Sequence, residues 1–88
     1  MDILRVSGSS QTSKVAGAIA GIMREKGQVA LQAIGASAVN QTVKAIALAR
    51  GFLQEDGIEI ALVIELVDVE INDKVRTAIK FSVEQRSQ

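Results

Sequence analysis

The chain has 88 residues, ten basic and ten acidic side chains, and 48% hydrophobic residues. A domain of this size buries only about 60% of the surface its unfolded chain exposes, so a single domain over residues 1–88 with a small core is expected. The absence of cysteine and histidine excludes a disulfide framework, a thiolate metal site and a cysteine nucleophile, and it removes the commonest general base and metal ligand. No apolar run reaches the length of a membrane span, and no basic start precedes one. The expectation is a cytoplasmic, non-enzymatic protein with no membrane partner.

In chain order, Asp2–Ser7 alternates as a short strand, with Leu4 and Val6 on one face. A polar loop, Gly8–Ser13, leads to a helix over 14–26 with Ser13 as its N-cap and Gly27 as its left-handed stop. Val15, Ile19, Ile22 and Met23 form the helix's apolar stripe. A second strand is predicted over 28–34. A second helix, capped by Ser37, runs to about Arg50 and ends at Gly51, with Val39, Val43 and Ile46 inward beside Ala38, Ala45 and Ala49. The stretch 58–71 reads as a long strand. Its apolar positions change phase after Leu66, which predicts a β-bulge. Asn72-Asp73 is hairpin chemistry. The last strand covers 75–84, with Val75, Thr77, Ile79, Phe81 and Val83 inward, and 85–88 forms a tail. Two strand–helix units give parallel first strands, and the last two strands pair as a hairpin. The predicted architecture is α+β: a two-layer sandwich of order β-α-β-α-β-β, with two helices on one face of a mixed four-stranded sheet.

Little in the sequence carries catalysis. The carboxylate pairs Glu55/Asp56 and Asp68/Glu70 lack a base partner or metal motif and read as surface charges. No cofactor and no metal are expected. Residues 1–50 carry a balance of +4 and residues 51–88 a balance of −4, an asymmetry that can orient a partner or reflect a solvated surface. Both helices start at the carboxyl ends of the parallel strands, so their N-termini share one sheet edge and favour anions there. Ser9, Ser10, Thr12, Ser13 and Lys14 surround one start, and Ser37, Asn40 and Gln41 the other. Capping accounts for the serines. Asn40 and Lys44 are four apart on one helical face, which suits a sugar–phosphate backbone or simply faces water.

Gly17 and Gly21 lie four apart in the first helix, off its apolar stripe, and Leu48 sits on the polar side of the second. Together they suggest a subunit contact over the helical layer. With Phe52 and Phe81 as the only aromatic residues, recognition of bases by aromatic stacking is disfavoured.

The strings Ser13–Gly21 (SKVAGAIAG), Gln32–Val43 (QAIGASAVNQTV), Lys44–Phe52 (KAIALARGF) and Arg76–Lys80 (RTAIK) resemble the stage V sporulation protein S family over nearly the whole chain. That family is similar in fold to Alba, the archaeal chromatin protein. Alba-like proteins are typically dimers that bind DNA or RNA. The resemblance implies contacts at Ser9, Ser10, Gln11 and Lys14 in the loop, at Ala36, Ser37, Asn40 and Lys44 on the second helix, and at Asn72, Asp73, Lys74 and Arg76 on the hairpin. Where Alba carries basic loop residues this chain has Ser, Gln and Thr, and Asp73 puts an acid at the hairpin tip. These departures imply a weaker or more selective binder than a DNA-coating protein.

The leading expectation is a dimeric or higher homo-oligomeric nucleic-acid-binding regulator in sporulation or development. It would hold phosphates through Ser9, Ser10, Lys14, Ser37, Asn40, Lys44, Lys74 and Arg76. One alternative is a self-associating protein–protein adaptor. Another is a small-anion or nucleotide sensor at the helix N-termini.

Overall fold

A computed structural model describes residues 2–86. The elements are β1 (Ile3–Val6), α1 (Thr12–Lys26), β2 (Gln28–Ala33), α2 (Ala36–Gln54), β3 (Ile60–Ile71) and β4 (Lys74–Gln85). β1 and β2 pair in parallel, and β4 pairs antiparallel with both β2 and β3. The sheet order is β1-β2-β4-β3, which leaves β3 as an edge strand. Both helices lie on one face, as the two strand–helix units require, and the expected two-layer α+β architecture is the one observed.

The core lies between the helices and the sheet. Ile19 and Met23 of α1, Val29 and Leu31 of β2, Leu53 of α2, and Phe81 and Val83 of β4 are its large, fully enclosed apolar side chains. Val15, Ile22, Val39 and Ile79 are half-buried against them. Val43, expected inside, is instead 50% exposed. The buried stripe of α2 is Ala38, Thr42, Ala45, Ile46, Ala49 and Leu53, and Val43 lies about 100° round the helix from Thr42. The alanines let α2 settle close against α1 on its small-residue side, which turns Val43 outward. Thr42 is fully buried, and its hydroxyl donates to the Ala38 carbonyl at 2.8 Å, so no polar group is stranded.

The helix boundaries depart from expectation in three places. α1 starts one residue before Ser13, with Gln11 in the N-cap position and no side-chain cap. α2 is preceded by Gly35 at φ 89°, a conformation open chiefly to glycine, so Ser37 is inside the helix and does not cap it. Gly51 does not end α2. The helix continues to Gln54 because Leu53 is fully buried, and enclosing a leucine outweighs the roughly 1 kcal/mol that a mid-helix glycine costs. Gly27 does end α1 in the left-handed conformation, as expected, with its N–H on the Met23 carbonyl.

β3 has no bulge. Its pairing with β4 steps one for one from Ile60↔Gln85 to Ile71↔Lys74. The change in apolar phase has another cause. β2 pairs with β4 only as far as Ala33↔Ile79, so β3 and β4 run on beyond the sheet as a two-stranded arm. There the partly buried face is the opposite one: Ala78 is enclosed and Val67 and Val69 are half-buried, whereas Val75 and Thr77, expected inward, are exposed. Asn72 and Asp73 both take positive φ (51° and 63°) at the arm's tip, as a two-residue hairpin turn demands. Of the expected tail, Gln85 belongs to β4, the Arg86 N–H donates to the Glu59 carbonyl, and residues 87–88 lie outside the described residues.

Candidate functional site

The loop between β1 and α1 is folded on itself by its serines. The Ser10 N–H donates to the Ser7 carbonyl at 3.1 Å, and the Ser7 N–H donates to Ser10 Oγ at 2.9 Å. Ser7 Oγ lies 3.1 Å from both Ser9 Oγ and Ser10 Oγ. Gln41 then ties this loop to α2, its Nε2 donating to the Ser10 carbonyl at 2.9 Å and to Thr12 Oγ1 at 3.2 Å. The Gln41 amide thus holds the loop before α1 to the start of α2.

Gly8 brings the two helix starts together. A Cβ at Gly8 would sit 2.5 Å from Ser37 Oγ and 2.9 Å from Ser37 Cβ. The hydroxyl can rotate away but the Cβ cannot, so the loop itself would have to move. Gly8→Ala is expected to cost about 1–3 kcal/mol. Ser37→Gly in the same chain should recover most of that loss. Urea unfolding of the two variants checks the contact, and a Gly8→Ala protein as stable as the original would contradict it.

The result is a platform of two adjoining helix N-termini. Neither has a side-chain cap, and neither has an acidic residue in its first turn. Free N–H groups and the positive ends of the helix dipoles therefore face water unopposed. Lys14 stands exposed in the first turn of α1, and Ser37, Asn40 and Lys44 are exposed on α2. The ion pairs of the described residues lie at the opposite edge, where the helices end: Arg24–Asp56 at 2.7 Å, Lys26–Asp2 at 3.1 Å and Arg50–Glu59 at 3.9 Å. Lys14 and Lys44 take part in none of them.

The arm cations do not join this platform. Phe81 and Val83 face the helices, so by strand alternation Lys74, Arg76 and Lys80 face away from them, while Asp68 and Glu70 share the helix-facing side. Lys14 and Lys44 thus occupy one layer of the molecule, and Lys74 and Arg76 the other. Ser9 and Ser10 form the wall of the platform, with hydroxyls already engaged locally. A Cβ added at Gly17 or Gly21 would meet nothing within 4 Å, and Leu48 is 39% exposed.

Two features escaped the reading of the sequence. One is an apolar groove of about 520 Å³ between α2 and β3, lined by Val43, Ala47, Leu62 and Ile64 among others. Leu62 and Ile64 belong to the alternating apolar run that precedes Leu66 in the sequence. The other is a polar groove of about 530 Å³ between the end of the β1–β2 pair and the arm. Among the described residues no helix is long and apolar enough to cross a membrane.

The sequence pattern of the family described as stage V sporulation protein S (SpoVS) matches residues 2–86. Among solved structures, Alba from Thermoplasma volcanium is similar with a TM-score of 0.60 at 11% identity, over 98% of this chain and 100% of that one. At that identity the likeness concerns the fold. The match over almost every residue, on an Alba-like arrangement of two helices and a mixed four-stranded sheet, means that the chain belongs to the stage V sporulation protein S family.

Proposed function

We propose that this protein is a non-enzymatic, nucleic-acid-binding regulator in sporulation or development. The observation that carries the reading is the double helix start: two uncapped N-termini, held together through Gly8, Ser37 and Gln41, with Lys14 and Lys44 beside them and outside every ion pair of the described residues. Phosphates suit such a platform, because main-chain N–H groups and lysines contact them without reading sequence. Asn40 adds an uncharged donor one turn from Lys44. Anisotropy titration of labelled duplex against salt concentration tests the reading, and absence of binding even at low salt would refute it.

The working unit in this proposal is a homodimer. Val63, Ile64 and Leu66 of the edge strand are 59%, 58% and 73% exposed, and Val43 flanks them at 50%. An unpaired apolar edge of this kind invites pairing with another chain. Asp68 and Glu70 guard the arm half of β3, but only Glu65 interrupts the apolar half. The strip of Gly17, Gly21 and Leu48 offers mainly bare backbone, so we place the contact on the α2–β3 side. Leu66→Glu is expected to shift the protein to monomer in sedimentation with no loss of folding, whereas Gly21→Leu leaves the dimer intact. The reverse pattern would move the contact to the helical layer. The same apolar edge favours a second reading, a self-associating adaptor that binds no nucleic acid.

A further inference from the structure

The sheet face away from the helices carries a row of side chains in register across all four strands: Arg5, Gln32, Lys80 and Glu65. Arg76 and Lys74 continue the same face along the arm. Arg5, Lys80, Arg76 and Lys74 form no ion pair among the described residues, although Glu65 stands opposite Lys80. The row leads into the groove of about 530 Å³ between the β1–β2 end and the arm. Arg5 and Gln32 line it from the sheet, Val69 and Ile71 from the arm, and Glu70 stands at its side as the one acid. On this face Arg5, Lys74, Arg76 and Lys80 stand against Glu65 and Glu84, with Glu70 at the rim of the groove, a positive balance that attracts a polyanion.

We infer that this groove receives a nucleotide from an unpaired strand, with Arg5, Lys80 and Arg76 on the phosphates, the Gln32 amide on the base edge and Val69 and Ile71 against the base. The inference rests on the proposed nucleic-acid reading and adds a second binding surface with a different substrate. The volume is that of a small-molecule site, typically about 300–1,000 Å³. Gln32 is half-buried, so a ligand must enter the groove to meet it. A duplex keeps its bases paired inside, whereas an unpaired strand can turn one out. An amide offers both donors and an acceptor, the complement of a base edge and not of a phosphate. The apolar walls suit the face of a base, without the aromatic platform of the common single-strand binders. Ser7 and Gly8 of the platform's loop line the inner wall of the groove, while the row of Arg5 and Lys80 faces the other layer from Lys14 and Lys44, so duplex on the two lysines and single strand on the row are held by different cations.

The test uses the full chain with labelled oligothymidylate, labelled oligouridylate and a duplex of equal length. Arg5→Glu with Lys80→Glu is expected to weaken single-strand binding about tenfold or more while duplex affinity changes less than about twofold. Gln32→Ala should weaken single-strand binding several-fold with the salt slope unchanged. In the unmodified protein, the Gln32 side-chain amide should shift in the NMR spectrum on adding oligothymidylate, a readout that needs no variant to fold. An unmoved Gln32 amide, an equal loss for single strand and duplex, or equally tight binding of polyglutamate would each overturn the inference. If duplex binding responds to Lys14→Glu and Lys44→Glu but single-strand binding ignores Arg5→Glu and Lys80→Glu, this inference alone fails. If the unmodified protein retains no nucleic acid at low salt, the proposed function fails with it.

Discussion

Lys14→Glu combined with Lys44→Glu is expected to abolish duplex binding at moderate salt while leaving the fold intact. Both side chains are exposed and neither forms an ion pair among the described residues, so their reversal strips nothing from the core. The loss follows from counterion release. Each cation that neutralises a phosphate adds about one unit to the slope of log affinity against log salt. Replacing both lysines therefore removes about two units, and the introduced carboxylates repel the phosphates besides. Asn40→Ala provides the contrast: it should weaken binding with little change in slope, because an amide releases no counterion. Anisotropy titrations at several salt concentrations separate the two effects. Unchanged affinity in the double variant would leave the adaptor reading as the better account of the exposed β3 edge.

Phe81→Ala is expected to bring the chain close to unfolding. Phe81 is 2% exposed and pairs across the sheet with Leu31 on β2 and Ile64 on β3. It also closes the floor of the apolar groove beside α2. Truncating a buried phenylalanine costs about 3–5 kcal/mol through lost transfer energy and the cavity left behind. Domains of this size are stable by about 5–15 kcal/mol in all. With a core assembled largely from alanine and valine, few neighbouring side chains can reach into the space. The urea midpoint should fall steeply with little change in the slope of the transition. A loss below about 1 kcal/mol would mean that the sheet holds together without this side chain.

What the residues determine by themselves is the local structure and its order. The order of strands and helices, Gly27 as a stop and Asn72-Asp73 as a turn each depend on neighbours a few positions away, and each is found where the pattern puts it. The family resemblance is of the same kind, since it rests on strings of adjacent residues. Tertiary structure decided the rest, because it depends on which elements compete for the same space. Leu53 carries α2 past Gly51 because burial overrides a local stop. The alanine face of α2 closes on α1 and turns Val43 out, although valine is the more apolar residue, because close approach gains more contacts than side-chain size alone. The apolar phase change after Leu66 is the same in a bulged strand and in an arm whose covered face has switched sides; only the unbroken register distinguishes them. The candidate site divides along the same line. Lys14, Asn40 and Lys44 were legible because helix starts follow strand ends in the chain. That Lys74 and Arg76 face the other layer, beside Arg5 and Lys80, was set by the pairing of β4 with β2, a contact between segments about fifty residues apart that no local pattern encodes.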